Sequence, residues 1–328
     1  SDLTASTPDR RSVDVAVIGA GTAGLNAWRA ASREGASALM IDPGPLGTTC
    51  ARVGCMPSKL LIAAAEAAHT VERAELFGVR VGDVSIDRVA VMERLRKMRD
   101  LFVSKTIARG PEVARERGEL IDARARFVGP NTLAVGDDLI DAKAVVLATG
   151  SSPWLPPAWR GLGERVLTTD DVFELPELPD SLLVIGAGAI GLELGQAFSR
   201  LGVRVAILDV VGRLAGLDDP EVHDSAAALF RAELDIHLRH ELIEATPGDD
   251  GIFVRFTGDD GAEHAATWDH VLVAAGRRPN LDGLDLAAAG LDPLPPFDPA
   301  TGRFGDSHLF GAGDVTGSRM LLHEAGQI

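Results

Sequence analysis

Apolar and polar positions alternate near the start of the chain, from Val13 to Ile18, with the two-residue period of a β-strand. A segment of small residues with helical character follows, and then a second apolar strand that ends at Asp42. An apolar strand, a helix and a second apolar strand in succession indicate a parallel βαβ unit. The pattern therefore predicts an α/β fold.

Three glycines stand between the first strand and the helix, in the stretch GAGTAG. Gly19 allows a tight turn, Gly21 lets the backbone approach a pyrophosphate, and Gly24 lets the helix pack closely on the strand. The helix N-terminus then faces the phosphates, and an acid about 20 residues further on binds a ribose. The residues of this predicted dinucleotide site are Gly19, Gly21, Gly24 and Asp42.

The same pattern returns between residues 181 and 209. Gly19 and Gly186 lie 167 residues apart, and so do Asp42 and Asp209. Two such patterns in one chain predict two nucleotides, and hydride transfer is the chemistry that would bring them together. A duplicated domain with one inactive site is the alternative, but neither copy has lost its glycines or its acid. The predicted residues of the second site are Gly186, Gly188, Gly191 and Asp209.

Further patterns indicate how the chain is organised. Residues 59–78 and 87–117 are predicted to be helical. Apolar strands within 142–157 and 270–284 run into loops with glycine and proline, typical of domain exits, and a third strand delivers Asp314 at its carboxyl end, where parallel sheets bind ligands. We predict two Rossmann-like domains, the second inserted into the first: a flexible tail at 1–11, a first domain at 12–152 and 278–328, and a second domain at 153–277.

Composition and charge exclude several classes of function. The formal net charge of −16 argues against nucleic acid and against an anionic membrane surface, because both require a basic footprint. No apolar run approaches the roughly 20 residues of a membrane helix, and the first residues lack the apolar core of a signal peptide. We therefore expect a cytoplasmic protein without a membrane or nucleic-acid partner.

The only two cysteines among 328 residues, Cys50 and Cys55, lie in the stretch GTTCARVGCMPSK. Zinc usually requires about four ligands in closely spaced pairs, so no metal site is expected. A structural disulfide over so short a loop would constrain the unfolded chain weakly, and such disulfides are uncommon in a reducing compartment. A reactive pair remains, and Pro57 indicates a helix start near Cys55, where a thiolate is favoured.

Residues 13–328 resemble the pyridine-nucleotide disulfide oxidoreductases, most closely the dihydrolipoamide dehydrogenases. The stretches that carry the resemblance, in the family's order, are GAGTAG, GTTCARVGCMPSK, ATGSSP, GAGAIGLE, AAGRRPN and GAGDV. The resemblance implies FAD at the first glycine pattern and NAD at the second. It also implies a Cys50–Cys55 redox disulfide, with Cys55 facing the flavin as the charge-transfer thiolate and Cys50 exchanging with the substrate.

The resemblance implies roles for other residues as well. Lys59 and Glu193 would form an ion pair beside the flavin, although Lys59 would be a solvated helix residue from periodicity alone. Asp314 would hydrogen-bond the ribityl chain, and Gly276 would lie against the bound nicotinamide nucleotide. The other implied flavin contacts are Thr49, Lys59, Thr149, Gly150 and Met320.

The substrate is constrained less sharply. Asp209 would accept the ribose hydroxyls and repel a 2′-phosphate, which favours NAD over NADP and counts against a glutathione-reductase-like enzyme. The lack of a second cysteine-rich segment counts against a mercuric reductase. Family members continue into a dimerisation domain with a His–Glu acid–base pair, which we expect beyond residue 328.

The predicted function is that of a dihydrolipoamide dehydrogenase-like oxidoreductase with a lipoyl-type or other small dithiol substrate, homodimeric when full-length. One alternative is a truncated FAD- and NAD-binding module with only NADH oxidase or diaphorase activity. The other is a relative of the mercuric or glutathione reductases.

Overall fold

The structure, a computed structural model, describes residues 9–317. The α-helices are α1 (Thr22–Arg33), α2 (Thr49–Val53), α3 (Cys55–Glu72), α4 (Arg88–Phe102), α5 (Arg109–Glu116), α6 (Ala189–Arg200) and α7 (Pro220–Arg231). The strands are β1 (Arg10–Ile18), β2 (Ala38–Ile41), β3 (Leu120–Ile121), β4 (Ala125–Gly129), β5 (Thr132–Val135), β6 (Asp138–Leu147), β7 (Ser151–Pro153), β8 (Val166–Thr168), β9 (Ser181–Ile185), β10 (Arg204–Asp209), β11 (Asp235–Leu238), β12 (Glu241–Gly248), β13 (Gly251–Thr257), β14 (Glu263–Trp268), β15 (His270–Val273), β16 (Arg277–Pro279), β17 (Phe297–Asp298), β18 (Arg303–Phe304) and β19 (Leu309–Gly311).

The chain divides into two compact units, here called unit 1 and unit 2. Unit 1 holds the residues up to Cys50, Phe102–Ser152 and the residues from Arg278 on, and unit 2 holds Ala51–Leu101 and Pro153–Arg277. The predicted first domain includes residues 51–101, but in the structure they pack with unit 2. The assignment of FAD to one domain and NAD to the other stays a prediction.

Unit 1 is built on a parallel sheet with the strand order β3-β2-β1-β6-β19. Alternate residues of the central strand β1 face opposite sides of this sheet. Ile18 lies in one buried core with Phe127. Val17 lies in another, with Leu25 and Trp28 of α1. The apolar pattern that predicts β1 therefore reflects a strand covered on both faces.

Unit 2 repeats this plan with a parallel sheet in the order β11-β10-β9-β15-β8. On one face, Val184 of β9 shares a core with Leu61 of α3 and Phe198 of α6. On the other face, Ile185 shares a core with Val254 from the antiparallel sheet β12-β13-β14. Residues of α3 and α4 belong to unit 2 because their apolar side chains are buried in the first of these cores.

Several element boundaries differ from the sequence pattern. β1 begins inside the predicted tail, because Arg10 and Arg11 pair in register with the start of β6. The predicted helix at 59–78 begins earlier, at Cys55, and ends at Glu72. The predicted helix at 87–117 is interrupted by a π-helical turn at Val103–Ile107. Across residues 9–317, no helix combines the length and apolar character needed to cross a bilayer.

Candidate functional site

The first glycine turn joins β1 to α1, and backbone contacts determine its shape. Gly19 adopts φ +110°, a conformation that residues with a side chain rarely adopt. A Cβ on Gly24 would lie 1.9 Å from the carbonyl oxygen of Gly19, so only glycine allows this close packing. A Cβ on Gly21 would meet nothing within 4 Å. The backbone at Gly21 therefore borders open space at the start of α1.

The second glycine turn, from β9 to α6, has the same geometry. Gly186 adopts φ +112°, and a Cβ on Gly191 would again lie 1.9 Å from the carbonyl oxygen of Gly186. A Cβ on Gly188 would meet nothing within 4 Å. The two turns thus offer the same open backbone position, each followed by a helix N-terminus.

Each predicted ribose-binding acid is anchored to its glycine turn by backbone amides. Asp42 accepts hydrogen bonds from the N–H groups of Ala20, at 2.6 Å, and Gly44, at 2.7 Å. Asp209 accepts equivalent bonds from Ala187 and Val211, both at 2.6 Å. A carboxylate offers about four acceptor positions, so each acid retains capacity for the hydroxyls of a ligand.

These features fit the two dinucleotides that the sequence predicts. The N-cap residues of α1 and α6 are Gly21 and Gly188, and neither provides a side-chain cap. No N-cap side chain therefore accepts a hydrogen bond from the first N–H groups of either helix, so these groups can bind a ligand. A helix N-terminus favours the negative charge of a phosphate.

Asp314 is a buried acid of unit 1, just beyond β19. Asp314 is only 6% exposed. Its Oδ2 accepts a hydrogen bond from Ser151 Oγ at 2.7 Å. The other oxygen, Oδ1, is buried without a hydrogen-bond partner. A buried acceptor left in this state is unfavourable. Oδ1 therefore fits a hydroxyl donor from a ligand, such as the ribityl chain that the resemblance implies.

The loop after β6 is held in place by Asn280. The Asn280 side-chain amide donates to the carbonyl oxygen of Thr149 at 3.0 Å, and its backbone N–H donates to that of Gly150 at 2.9 Å. The Thr149 hydroxyl donates in return to the carbonyl oxygen of Asn280 at 2.6 Å. The predicted flavin-lining positions Thr149 and Gly150 thus lie in a fixed backbone segment.

The cysteine stretch folds as two consecutive helices. Thr49 is the first residue of α2 and Cys50 the second, and Cys55 is the first residue of α3, with Gly54 as its N-cap. Both cysteines are half-buried thiols. Cys55 thus lies in the first turn of an 18-residue helix, as the position of Pro57 suggests, where the helix dipole favours negative charge.

Within unit 2, the structure brings Lys59 and Glu193 together. Lys59 Nζ lies 2.7 Å from Glu193 Oε2, and the side chains are 61% and 32% exposed. Lys59 is one helical turn after Cys55, and Glu193 is in the second turn of α6, shortly after the glycine turn. The ion pair therefore joins the helix that begins at Cys55 to the helix that begins at Ala189, just after the second glycine turn.

The remaining predicted residues of the second site lie in loops of unit 2. Gly276 follows β15 with φ +109°, and a Cβ there would meet nothing within 4 Å. Its carbonyl oxygen accepts a hydrogen bond from the N–H of Trp154 at 2.9 Å. Arg213, the cation nearest in sequence to Asp209, is paired with Asp218. The end of β10 therefore carries the Asp209 carboxylate, and the guanidinium group of Arg239 lies beside Gly212, three residues further on.

Sequence reasoning missed two residues that support the first site. Ser151 and Asn280 both lie inside recognised stretches, ATGSSP and AAGRRPN, but nothing in the local pattern shows that they hydrogen-bond Asp314 and Thr149. The partners are 163 and 131 residues away, respectively, so spacing alone could not identify them. The predicted flavin contact Met320 lies outside the described residues.

Comparisons with known proteins agree on a relationship. The sequence profile described as "Pyridine nucleotide-disulphide oxidoreductase" matches residues 13–328. The chain is 31% identical over 336 aligned positions to dihydrolipoyl dehydrogenase from Bacillus subtilis, covering 95% of this chain and 69% of the relative. It is 36% identical to dihydrolipoyl dehydrogenase 3 from Pseudomonas aeruginosa, covering 96% and 69%. It is 35% identical to mercuric reductase from Streptomyces lividans, covering 85% and 59%.

Solved structures show the same fold. The HOCl-induced flavoprotein disulfide reductase RclA from Escherichia coli superposes with a TM-score of 0.77 at 22% identity. The superposition covers 96% of this chain and 68% of that protein. At this identity the likeness concerns the fold alone. The chain spans 59 to 69% of the three curated relatives' own lengths.

Proposed function

The chain belongs to the pyridine nucleotide-disulphide oxidoreductase family, and we propose that it passes electrons between a small dithiol and NAD through the pair Cys50 and Cys55. The family and its members use FAD and NAD(H). Glycines and acids of both turns fit such dinucleotides, and the unpartnered Asp314 Oδ1 fits a ribityl hydroxyl. The proposed substrate is a lipoyl-type dithiol.

One observation carries the proposal: the ion pair between Lys59 and Glu193 within unit 2. It ties the helix that begins with a cysteine to the helix that begins at a nucleotide-type glycine turn. A purely structural ion pair at this exposure contributes only about 0–1 kcal/mol, so stability gives little reason for it. The pair instead fixes the position of the Lys59 ammonium group one helical turn after Cys55, which fits the role beside the flavin that the resemblance implies.

The proposed exchange conserves atoms and electrons. A substrate thiolate attacks Sγ of Cys50 in the oxidised pair, which forms a mixed disulfide and releases Cys55 as a thiolate. The second substrate thiolate attacks the substrate sulfur of that mixed disulfide, which closes the substrate disulfide and releases Cys50. Bound FAD supplies the two-electron relay from this dithiol to the nicotinamide. In sum, one dithiol and NAD⁺ give one disulfide, NADH and a proton.

Asp209 favours NAD over NADP in this proposal. Its carboxylate is fixed by two backbone N–H groups at the end of β10, where the adenosine ribose of the second dinucleotide would lie. A 2′-phosphate would meet this negative charge directly, and Arg213 is already paired with Asp218. We expect a lower KM for NADH than for NADPH.

A second candidate is reduction of Hg(II), because a mercuric reductase is among the relatives at 35% identity. The cysteine pair would then bind the metal ion as substrate, with NADH or NADPH as the electron donor. The chain has only two cysteines to provide sulfur ligands, so we rank this activity below dithiol oxidation.

Parallel assays separate these functions. The purified, FAD-loaded chain is tested for NAD⁺ reduction by dihydrolipoamide, for NADH oxidation by Hg(II), and for NADH oxidation by a dye. We expect the first and third activities, with Cys50→Ser and Cys55→Ser losing the first and keeping the third. Dye reduction without dithiol turnover in the unsubstituted chain would assign it the diaphorase role. Dithiol turnover that survives both substitutions would contradict the proposed exchange.

Lys59→Gln tests the ion pair itself. Dihydrolipoamide-dependent turnover should fall by at least about tenfold, because a positioned charge is lost. The free energy of unfolding should change by less than about 1 kcal/mol. Arg255→Gln is the control and should leave turnover unchanged. It breaks other exposed ion pairs of unit 2, with Glu263 at 3.1 Å and Glu244 at 3.5 Å. Equal turnover in Lys59→Gln and Arg255→Gln would show that the Lys59–Glu193 ion pair does not support the proposed function.

A further inference from the structure

A second cluster of reactive side chains lies in unit 2, where β11 meets the hairpin between β13 and β14. It contains His237 of β11, Asp260 of the hairpin loop and His264 of β14. One nitrogen or oxygen from each of the three lies within 4.8 Å of the other two. None of these residues belongs to the glycine turns or the cysteine stretch.

The three ligand atoms converge over Gly258. A Cβ placed on Gly258 would lie 2.7 Å from His237 Nδ1, 2.8 Å from Asp260 Oδ1 and 3.0 Å from His264 Nε2. Because glycine has no side chain, the space between these atoms stays open; we call it the Gly258 gap. Two nitrogens and an oxygen that face one small gap form a donor set typical of a transition-metal site.

The state of His237 points to a ligand in the gap. His237 is 8% exposed, and its Nδ1 is buried without a hydrogen-bond partner. The opposite nitrogen, Nε2, lies 3.0 Å from Asp235 Oδ1. A carboxylate beside Nε2 favours the tautomer with its proton there, which leaves the Nδ1 lone pair directed into the gap. Carboxylates commonly orient metal-binding histidines in this way.

The other two donors are oriented by their own contacts. Asp260 Oδ1 accepts a hydrogen bond from the N–H of Ala262 at 2.9 Å. His264 Nε2 lies 3.1 and 3.0 Å from the two oxygens of Asp260.

Ion pairs of His264 with Asp260 and of His237 with Asp259 do not account for this arrangement. His264 and Asp260 could pair without any ligand, but His237 Nδ1 would then stay buried with an unused lone pair, which is unfavourable. Asp259 does not satisfy it, because its Oδ1 lies 3.8 Å away, beyond hydrogen-bond distance. Asp259 is instead paired with Arg231.

We propose that the Gly258 gap binds a divalent transition-metal ion of the Zn(II) type. His237 Nδ1, His264 Nε2 and Asp260 Oδ1 are its ligands, and water completes the coordination. Metal–nitrogen bonds of about 2.0–2.1 Å require small inward movements of the three side chains. The proton on His264 Nε2 moves to Nδ1 or to solvent as the ion binds. The ion would link β11 of the parallel sheet to the hairpin of the antiparallel sheet.

The test uses Zn(II) and the full chain with Cys50→Ser and Cys55→Ser, since both thiols could bind zinc themselves, and without an added histidine tag. Calorimetric titration should show saturable binding of one ion per chain. His264→Gln and Asp260→Asn should each weaken binding by about tenfold or more. His223→Gln is the matched control, because it removes a histidine paired only with Asp224, and it should leave the affinity unchanged.

Gly258→Ala provides a sharper test, because it retains every ligand and fills the gap. Zn(II) binding should be lost, and the free energy of unfolding without metal should fall, because His237 and Asp260 must move away from the new Cβ. Gly248→Ala, at the other hairpin of the same sheet, is its control, since a Cβ there would make an ordinary contact at 3.5 Å. No saturable binding in the parent, or equal binding in Gly258→Ala and Gly248→Ala, would overturn the proposal.

A separate experiment tests whether Asp235 orients His237 and sets its tautomer. Asp235→Asn should reduce Zn(II) affinity by about tenfold. Nitrogen NMR of His237 should show a loss of preference for the Nε2–H tautomer in the metal-free variant. An unchanged tautomer would contradict the positioning role of Asp235, even if the affinity fell.

Discussion

The two glycine turns of this chain have nearly identical geometry, but the helices that follow them differ. Gly19 and Gly186 adopt φ of +110° and +112°, and each acid is anchored by an amide N–H at 2.6 Å from the first residue after its glycine. The position on α1 that corresponds to Glu193 of α6 is Asn26, which is exposed. The geometry of each turn thus depends on residues close in sequence. The side chains on the surface of the following helix determine which other helix that helix contacts.

The helices also differ in the size of the buried residue at one equivalent position. Trp28 on α1 corresponds to Gly195 on α6. Trp28 is 4% exposed and fills a core of unit 1. A Cβ on Gly195 would lie 2.8 Å from Ile207 Cδ1, so α6 packs tightly on β10. The helix α6 is also the one that pairs with α3, through Glu193 and Lys59. The same glycine turn therefore occurs in two units whose following helices pack with residues of very different size.

The largest expected effect tests whether both turns depend on close packing. Gly24→Ala and Gly191→Ala should each lower the free energy of unfolding by about 3 kcal/mol, because the new Cβ would clash with a carbonyl oxygen that cannot move independently. Urea denaturation measures this. Gly21→Ala and Gly188→Ala are the matched controls and should change stability by less than about 1 kcal/mol. Equal destabilisation in both pairs would show that the turns are not held by this contact.

The next effect separates the turns by cofactor. Asp42→Asn and Asp209→Asn should each cost about 1–3 kcal/mol of stability, because an amide group cannot accept both backbone hydrogen bonds. Asp42→Asn should also lower the flavin content of the purified chain, and Asp209→Asn should raise the KM for NADH. Flavin absorbance and steady-state kinetics measure the two results. A loss of flavin in Asp209→Asn instead would reverse the proposed assignment of the cofactors.

Asp314→Asn tests the proposed flavin contact in unit 1, which contains the first glycine turn. The substitution removes a charge whose Oδ1 is buried without a partner, so the stability of the flavin-free chain should stay the same or rise slightly. Flavin affinity should fall by about tenfold, because a hydrogen bond to a charged acceptor is lost. Fluorescence titration with FAD compares the variants. Ser151→Ala should destabilise the flavin-free chain instead, since it leaves Oδ2 unpaired as well.

The smallest expected effect is a pH dependence. Burial lowers the pKa of His240 and His270 in unit 2, and of His308 in unit 1, below the ordinary value of 6.5. The unfolded chain therefore takes up protons at a higher pH than the folded chain does. Stability is complete above about pH 6.5 and falls as the pH decreases towards the folded-state pKa values, by up to about 1.4 kcal/mol per pH unit for each proton.

Denaturation between pH 7 and pH 5 measures this slope. Replacing both His240 and His270 by Gln should reduce the slope more than replacing His308 alone, because two of these three histidines are in unit 2. A slope that does not change in the double variant would contradict a role for burial at these positions.

Much of the first-level architecture follows from local pattern. The strand–glycine–helix–strand order predicts both βαβ units, and Pro57 predicts a helix start near Cys55, which the structure confirms at Cys55 itself. Element ends are less well predicted. The pattern at 87–117 indicates one helix, but a π-helical turn separates α4 from α5 there. Residues 51–101 also pack with unit 2 because their buried leucines and Met92 find a core there, which no local signal shows.

The sequence by itself determined the two glycine turns, their acids and the cysteine helix, because these depend on backbone conformations and hydrogen bonds within one βαβ unit or one helical turn. Only the tertiary structure decided which distant side chains meet. Lys59 and Glu193 are 134 residues apart, and His237 and His264, which lie 27 residues apart, converge over Gly258 although the sequence predicts no metal site. Such contacts depend on how sheets and helices pack, and residue spacing along the chain does not encode that packing directly.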